Sequence, residues 1–143
     1  MGKVRNILTV KGNLIYSITP DTTVFEALEI MVEKKIGALI VTENEKLKGI
    51  FTERDYARKV ILKGKSSKDT TVGEIMDYHP TVTPDTTVDE CMNLMSENHM
   101  RHLPVLDGDK LVGIVSMGDV MKFIIDEQQF LIESLGRYIS DTK

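Results

Sequence analysis

Thr19-Pro20-Asp21-Thr22-Thr23-Val24 returns 64 positions later as Thr83-Pro84-Asp85-Thr86-Thr87-Val88. The register holds without a gap from Ile18–Tyr56 onto Val82–Val120, and 16 of the 39 aligned positions are identical. Identity at that level over a fixed offset marks two copies of one supersecondary unit. Each copy reads as strand, helix, strand, strand, helix. Ile15–Ile18 and Thr81–Thr83 read as short strands, each stopped by a proline that cannot donate to a ladder. Thr23-x-x-Glu26 and Thr87-x-x-Glu90 have the form of a capping box and open a helix. Val24, Ala27, Leu28, Met31 and Val32 share one face of the first helix, and Val88, Cys91, Met92 and Met95 share one face of its counterpart.

Gly37–Thr42 and His102–Leu106 read as buried strands, joined through polar tips to Lys46–Phe51 and Lys110–Val115. Asp107-Gly108 is a strong hairpin signal. A second helix is expected from about Glu53 to Leu62, and from about Met117 into the tail. Val4–Leu8 and Val72–Met76 read as short amphipathic turns, one opening each unit. The polar run Gly64–Asp69 is the linker, so the chain divides into repeats at 1–66 and 67–143. At about 60 residues neither copy buries a comfortable core alone, and sheet-to-sheet packing of the two is the natural solution. The tail carries Phe123, Ile124, Phe130, Leu131, Leu135 and Ile139 on a long amphipathic helix. That face is expected to cover the opposite repeat, a second copy of the chain, or both.

Composition narrows the function. With a net charge of −4, the chain has no long-range attraction for nucleic acid or anionic lipid, so any anion site must be local. No apolar run approaches the roughly 20 residues of a membrane span, and no basic-then-apolar leader opens the sequence. The single Cys91 lies in an apolar helical pattern and reads as a core residue; a cytoplasmic location is expected.

The candidate site lies at two equivalent corners, Gly49-Ile-Phe-Thr-Glu-Arg-Asp55 and Gly113-Ile-Val-Ser-Met-Gly-Asp119. In each, a strand ends, a hydroxyl follows, and an acid enters a helix. Thr52-x-x-Asp55 and Ser116-x-x-Asp119 could be capping boxes. They could also hold a ligand. A carboxylate accepts two hydrogen bonds from a vicinal diol, a hydroxyl donates to a phosphate, and each charge-assisted bond adds about 1.5–3 kcal/mol. The opening glycine would let something approach the backbone closely. Arg101 and His102 stand at a strand entrance where the first copy has Gly37 and Ala38, so two unequal clefts are expected. Arg54 and Arg58 lie one turn apart and read either as an exposed face with a Glu53–Arg58 pair or as a phosphate clamp. His99-x-x-His102 lacks a third ligand for a metal. Ser116 has no attached base, and no glycine-rich phosphate loop occurs, so no catalytic site is expected.

Together with the Arg101-His-Leu-Pro-Val105 and Gly37-Ala-Leu-Ile-Val41 strands, these corners resemble a tandem pair of cystathionine-β-synthase (CBS) domains, a Bateman module, over nearly the whole chain. The resemblance implies an α/β (α+β) fold of two pseudo-symmetric β-α-β-β-α repeats with an extra C-terminal helix. It implies a regulatory sensor rather than an enzyme, requiring no cofactor. Its ligand would be an adenine nucleotide, AMP foremost, with ATP, ADP or NAD as alternatives. By the same resemblance, Asp119 and Ser116, with Met117 and Gly118, would hold ribose and phosphate in one cleft, and the adenine would lie near Ile36, Gly37 and Ala38. Asp55 and Thr52 would serve the other cleft with Arg54, Arg58, Met100, Arg101, His102 and the Tyr78-His79 segment. Such modules commonly pair into disc-shaped homodimers and signal to a protein partner. The alternative is a structural or interaction homodimer whose corners are only caps.

Overall fold

The computed structural model describes residues 2–12 and 14–141. Its elements run α1 (Val4–Lys11), β1 (Ser17–Ile18), α2 (Val24–Lys34), β2 (Ala38–Glu43), β3 (Lys46–Thr52) and α3 (Glu53–Tyr56). They continue through α4 (Val72–Ile75), α5 (Val88–Asn98), β4 (His102–Asp107), β5 (Lys110–Ser116) and α6 (Met117–Asp141). The first repeat forms a sheet in the order β1-β2-β3, with β1 parallel and β3 antiparallel to β2. In the second, β4 and β5 form the matching antiparallel pair, with an irregularity at Val105/Leu106 that repeats the one at Val41/Thr42. The sheets meet along β3 and β5.

Several expected elements shrink, and the reasons are local. The strand expected over Ile15–Ile18 is ordered only at Ser17–Ile18. The one expected over Thr81–Thr83 is reduced to a single parallel bridge between Val82 and Val105. Ile40 on β2 donates its N–H to the Tyr16 carbonyl at 3.4 Å. Its counterpart on β4 is Pro104, which has no N–H to give, so the second ladder cannot extend. The helix expected over Glu53–Leu62 starts as α3 but widens into a π-helical turn at Ala57–Ile61, leaving Val60 fully buried. Val32 and Met92, placed on the apolar faces by spacing, are exposed instead; Val24, Ala27 and Met31, and Val88, Cys91 and Met95, make the buried faces. Thr23 and Thr87 cap α2 and α5 by accepting the N–H groups of Glu26 and Glu90, each at 3.1 Å.

The opening helices are exchanged. α1 precedes the first repeat, yet Val4, Ile7 and Leu8 lie in the second core with Val88, Met95 and Leu103. α4 precedes the second repeat, yet Val72 and Ile75 lie in the first core with Val24, Leu39 and Phe51. Backbone hydrogen bonds fix both crossings. Val4 N–H reaches Thr86 O at 2.8 Å and Val88 N–H reaches Gly2 O at 2.9 Å. Likewise Val72 N–H reaches Thr22 O at 2.8 Å and Val24 N–H reaches Thr70 O at 2.9 Å. Each core is therefore completed by a segment that arrives from beside the other.

Along α6, Val120 is buried and Phe123 and Ile124 pack on the second core, whereas Phe130, Leu131 and Leu135 are exposed. The tail thus covers its own repeat's core, not the opposite one. No helix among the described residues is long and apolar enough to cross a membrane.

Candidate functional site

Both corners are complete capping boxes. Thr52 Oγ1 accepts the Asp55 N–H at 3.2 Å, and Asp55 Oδ2 accepts the Thr52 N–H at 2.9 Å. Ser116 Oγ accepts the Asp119 N–H at 3.0 Å, and Asp119 Oδ2 accepts the Ser116 N–H at 2.8 Å. One oxygen of each acid is therefore spent on the helix start, and any ligand contact would use what remains.

The opening glycines admit protein, not ligand. A Cβ on Gly49 would lie 2.8 Å from the Asp77 carbonyl oxygen, and one on Gly113 would lie 2.8 Å from Leu8 Cδ2. Those positions are where the exchanged segments cross the sheets. Asp77 is pinned there by a two-bond bridge to Ile50, at 2.8 and 3.0 Å.

Each acid also meets a lysine. Lys59 Nζ lies 3.5 Å from Asp55 Oδ1 and donates to Asp77 Oδ1 at 2.7 Å and the Ile75 carbonyl at 3.0 Å. Asp55 is only 4% exposed, and burial, followed by its hydrogen bond with Asp77, pushes its carboxyl above the ordinary range. Burial also acts upward on Asp77, but hydrogen bonds with Asp55 and Lys59 and the Lys59 charge hold it below. At the second corner Lys11 Nζ donates to Asp119 Oδ2 at 2.6 Å and to Ile114 O at 2.8 Å. Burial raises Asp119, yet the Lys11 hydrogen bond and the Ser116 N–H outweigh it and hold the carboxyl below its usual value.

Between the repeats lies a cavity of about 660 Å³. From the first repeat Gly37, Thr52, Glu53, Arg54, Asp55 and Arg58 line it; from the second, Asp77, His79, Asn98, His99, Met100, Arg101 and His102 do. Arg54 Nη1 crosses it to donate to the His99 carbonyl at 2.9 Å. His99 is the left-handed residue ending α5, with φ 54°. Among the described residues no ion pair joins Arg54, Arg58 or Arg101 to a carboxylate, so the expected Glu53–Arg58 surface pair is not made. Three guanidinium groups thus face one cleft without a direct ion pair, although the carboxylates of Glu53, Asp55 and Asp77 share its lining. His102 does not add to the guanidinium groups: burial, then the neighbouring His79 and the Lys11 charge, lower its pKa to about 4 and keep it neutral at pH 7. Its carbonyl is 2.8 Å from His79 Nδ1.

Other expected residues are dispersed. Gly37 lies beside the Thr52–Asp55 corner, its carbonyl accepting the Glu53 N–H at 3.2 Å. Ile36 packs on the first core, Ala38 is buried, and Tyr78 projects into solvent. Met117 packs on the second core and donates its N–H to Arg101 O at 2.8 Å. Ser116 is held by its cap, and the nearest heavy atom to a Cβ on Gly118 would be Ser116 Oγ at 3.6 Å. Asp119 lines a separate cavity of about 480 Å³ between α1 and α6, with Lys11, Lys122, Phe123 and Phe130. Lys11 and Asp77 escaped the sequence reading, and His99 entered it only as half of a metal pair. Lys11 ends one exchanged helix and Asp77 follows the other, so only knowledge of the exchange would have pointed to them. Cys91 is fully buried, and desolvation raises its thiol to about 11, as a core cysteine requires.

Residues 4–62 and 72–126 each match the CBS domain family. The curated relative CBSX3, a mitochondrial protein of Arabidopsis thaliana, is 43% identical over 127 residues, covering 85% of this chain and 62% of its own length. YhcV of Bacillus subtilis is 31% identical and covers 84% of each chain. Among solved structures, a CBS-domain protein of Burkholderia ambifaria is 49% identical with a TM-score of 0.84, covering 88% of this chain and 96% of that one. CBS pairs are typically regulatory, ligand-binding modules. Two matched repeats, two capped corners and a cleft between them place this chain in the CBS-domain family, as a tandem pair.

Proposed function

We propose that the chain is a regulatory module that binds an adenine nucleotide in the inter-repeat cleft and passes the binding event to a protein partner. The observation that carries this reading is the convergence of Arg54, Arg58 and Arg101 on one cavity, none of them ion-paired to the Glu53, Asp55 and Asp77 carboxylates that share it. Unpaired guanidinium groups there favour a phosphate, which each can meet with a charge-assisted, bidentate contact. Thr52 stands beside them for a ribose hydroxyl, and Gly37 and Met100 give the base an uncharged wall. AMP fits this set most simply; ADP, ATP and NAD share its chemistry. Because both repeats supply walls, a ligand with different affinity for two relative packings of the repeats shifts their populations. No nucleophile–base arrangement supports an enzymatic reading.

Calorimetry with AMP, ATP and NAD tests this. Arg58→Ala and Arg101→Ala should each weaken binding by about 10-fold or more, the worth of one charge-assisted contact. Wild-type protein that takes up none of the three at millimolar concentration, or variants that bind as well as wild type, would sink it.

A second reading, a homodimer serving structure or interaction, is favoured by the completed caps at both corners and by the bare apolar residues of α6. The two readings are compatible, and homodimerisation belongs to both. Hexameric CBS-CP12 proteins of bloom-forming cyanobacteria, 31% identical to this chain, show that relatives assemble.

A further inference from the structure

The family match ends at residue 126, but α6 continues to Asp141. Up to Ile124 the helix is held by the second core; from Ile125 to Glu133 every residue is exposed. An exposed helix of that length is marginal by itself in water. Most of its apolar residues fall on one line, with Leu131 beside it and Phe130 on the opposite face. Met121, Ile125, Gln128, Ile132 and Leu135 follow one another at spacings of 4, 3, 4 and 3, and the same spacing continues to Ile139. The apolar members of the first five are 54%, 56%, 69% and 62% exposed. Alternating steps of three and four are the seam of a left-handed coiled coil, in which each residue enters a hole formed by a facing helix.

We infer that α6 of one chain pairs with α6 of a second copy along Met121–Leu135, as a parallel, in-register two-stranded coiled coil. Three observations select this occupant. A heptad seam is self-complementary, so an identical helix satisfies it. Of the positions flanking the seam, Ile124, Gln129 and Leu131 carry no charge and Lys122 faces the uncharged Met117 position, while Asp126, Glu127 and Glu133 lie on the outer face; two copies can approach without like-charge repulsion. Gln128 is the polar seam residue. Parallel pairing sets its amide against Gln128 of the second copy, where each can donate and accept. Antiparallel pairing sets it against an isoleucine and leaves it unsatisfied. The helix start is already fixed by the Ser116 cap and the core contacts of Val120 and Phe123, so pairing need not supply the nucleation cost.

This inference specifies the surface of the homodimer proposed above. Light scattering at micromolar concentration should give a dimer, and Ile132→Glu with Leu135→Glu should weaken it by about 100-fold or more, since two buried aliphatic side chains are replaced by charges. Gln128→Cys in the otherwise unchanged protein should form an intermolecular disulfide on mild oxidation, and Glu133→Cys on the outer face should not. A monomeric wild type overturns both the dimer and the seam. A dimer that tolerates the paired glutamates, or that cross-links equally through positions 128 and 133, overturns the seam alone. Failure of the Gln128→Cys variant to cross-link, in a dimer that the glutamates do disrupt, overturns the parallel register.

Discussion

Gly49 and Gly113 occupy the same position in the two repeats, yet alanine should affect them very differently. The added methyl at Gly49 would sit 2.8 Å from the Asp77 carbonyl oxygen and 3.1 Å from Met76 Sδ. The first of these is backbone, and it is held by the two Ile50–Asp77 hydrogen bonds. Relief requires the crossing segment to move out, at about 1 kcal/mol for each bond lost, or overpacking strain of about 1–3 kcal/mol. Restricting the unfolded chain returns about 0.4–1 kcal/mol, leaving a net loss of about 1–2 kcal/mol. At Gly113 the obstacle is Leu8 Cδ2 at 2.8 Å, the end of a side chain that can turn. There strain and the unfolded-state gain nearly cancel, at about 0–1 kcal/mol. Urea unfolding followed by circular dichroism should place Gly49→Ala about 1 kcal/mol below Gly113→Ala, roughly fivefold in the unfolding constant. The exchanged cores predict one cooperative transition for both. Equal losses, or a larger loss at Gly113, would refute the account of what the corner glycines are for.

Two further outcomes follow from charge. The His102 pKa of about 4 lies below its ordinary 6.5. The unfolded chain therefore takes up a proton first as pH falls, and stability should drop between pH 6.5 and 4 by on the order of 3 kcal/mol; His102→Gln should remove that part of the pH profile. The lowered Asp119 carboxyl contributes stability above its ordinary value of 3.8 that is lost as acid protonates it, so Lys11→Met, which removes its partner, should flatten the fall in stability below about pH 4 in an acid titration.

The duplication was legible because periodicity and caps are local: the Thr-x-x-Glu starts, the buried runs of β2 and β4, and the Asp107-Gly108 turn are all written within a few residues. The exchange of α1 and α4 was not. Val4, Ile7 and Leu8 present the same apolar spacing as Val72 and Ile75, and either stripe would satisfy either core. Which one it covers depends on the path of the polar connection Gly64–Asp69, which carries no hydrophobic signal. The same blindness hid Lys11 and Asp77, which reach their corners only because the helices before them cross. His102 lines the cleft where it was expected, but its neutrality was not legible: sequence supplies the titratable group, and its charge depends on burial, which appears only after folding.

The exchange also bears on how a cleft could signal. In two beads joined by a linker, a ligand between them could separate or close them freely. Here each core contains the other repeat's opening segment, so a large hinge would open both cores. Asp77 makes the constraint local: it lines the cleft, is pinned to β3 through Ile50, and takes a hydrogen bond from Lys59 on the turn that carries Arg58. Arg54 meets the far wall at the His99 carbonyl. A phosphate drawing Arg54 and Arg58 inward competes with that contact and strains the Lys59–Asp77 bond. The movements available are then shifts of side chains and of the π-helical turn, small enough to leave both cores closed. A widened helical turn can return to α-helical spacing by a one-residue change of register, which makes Ala57–Ile61 the segment best suited to convert occupancy of the cleft into a displacement on the outer surface.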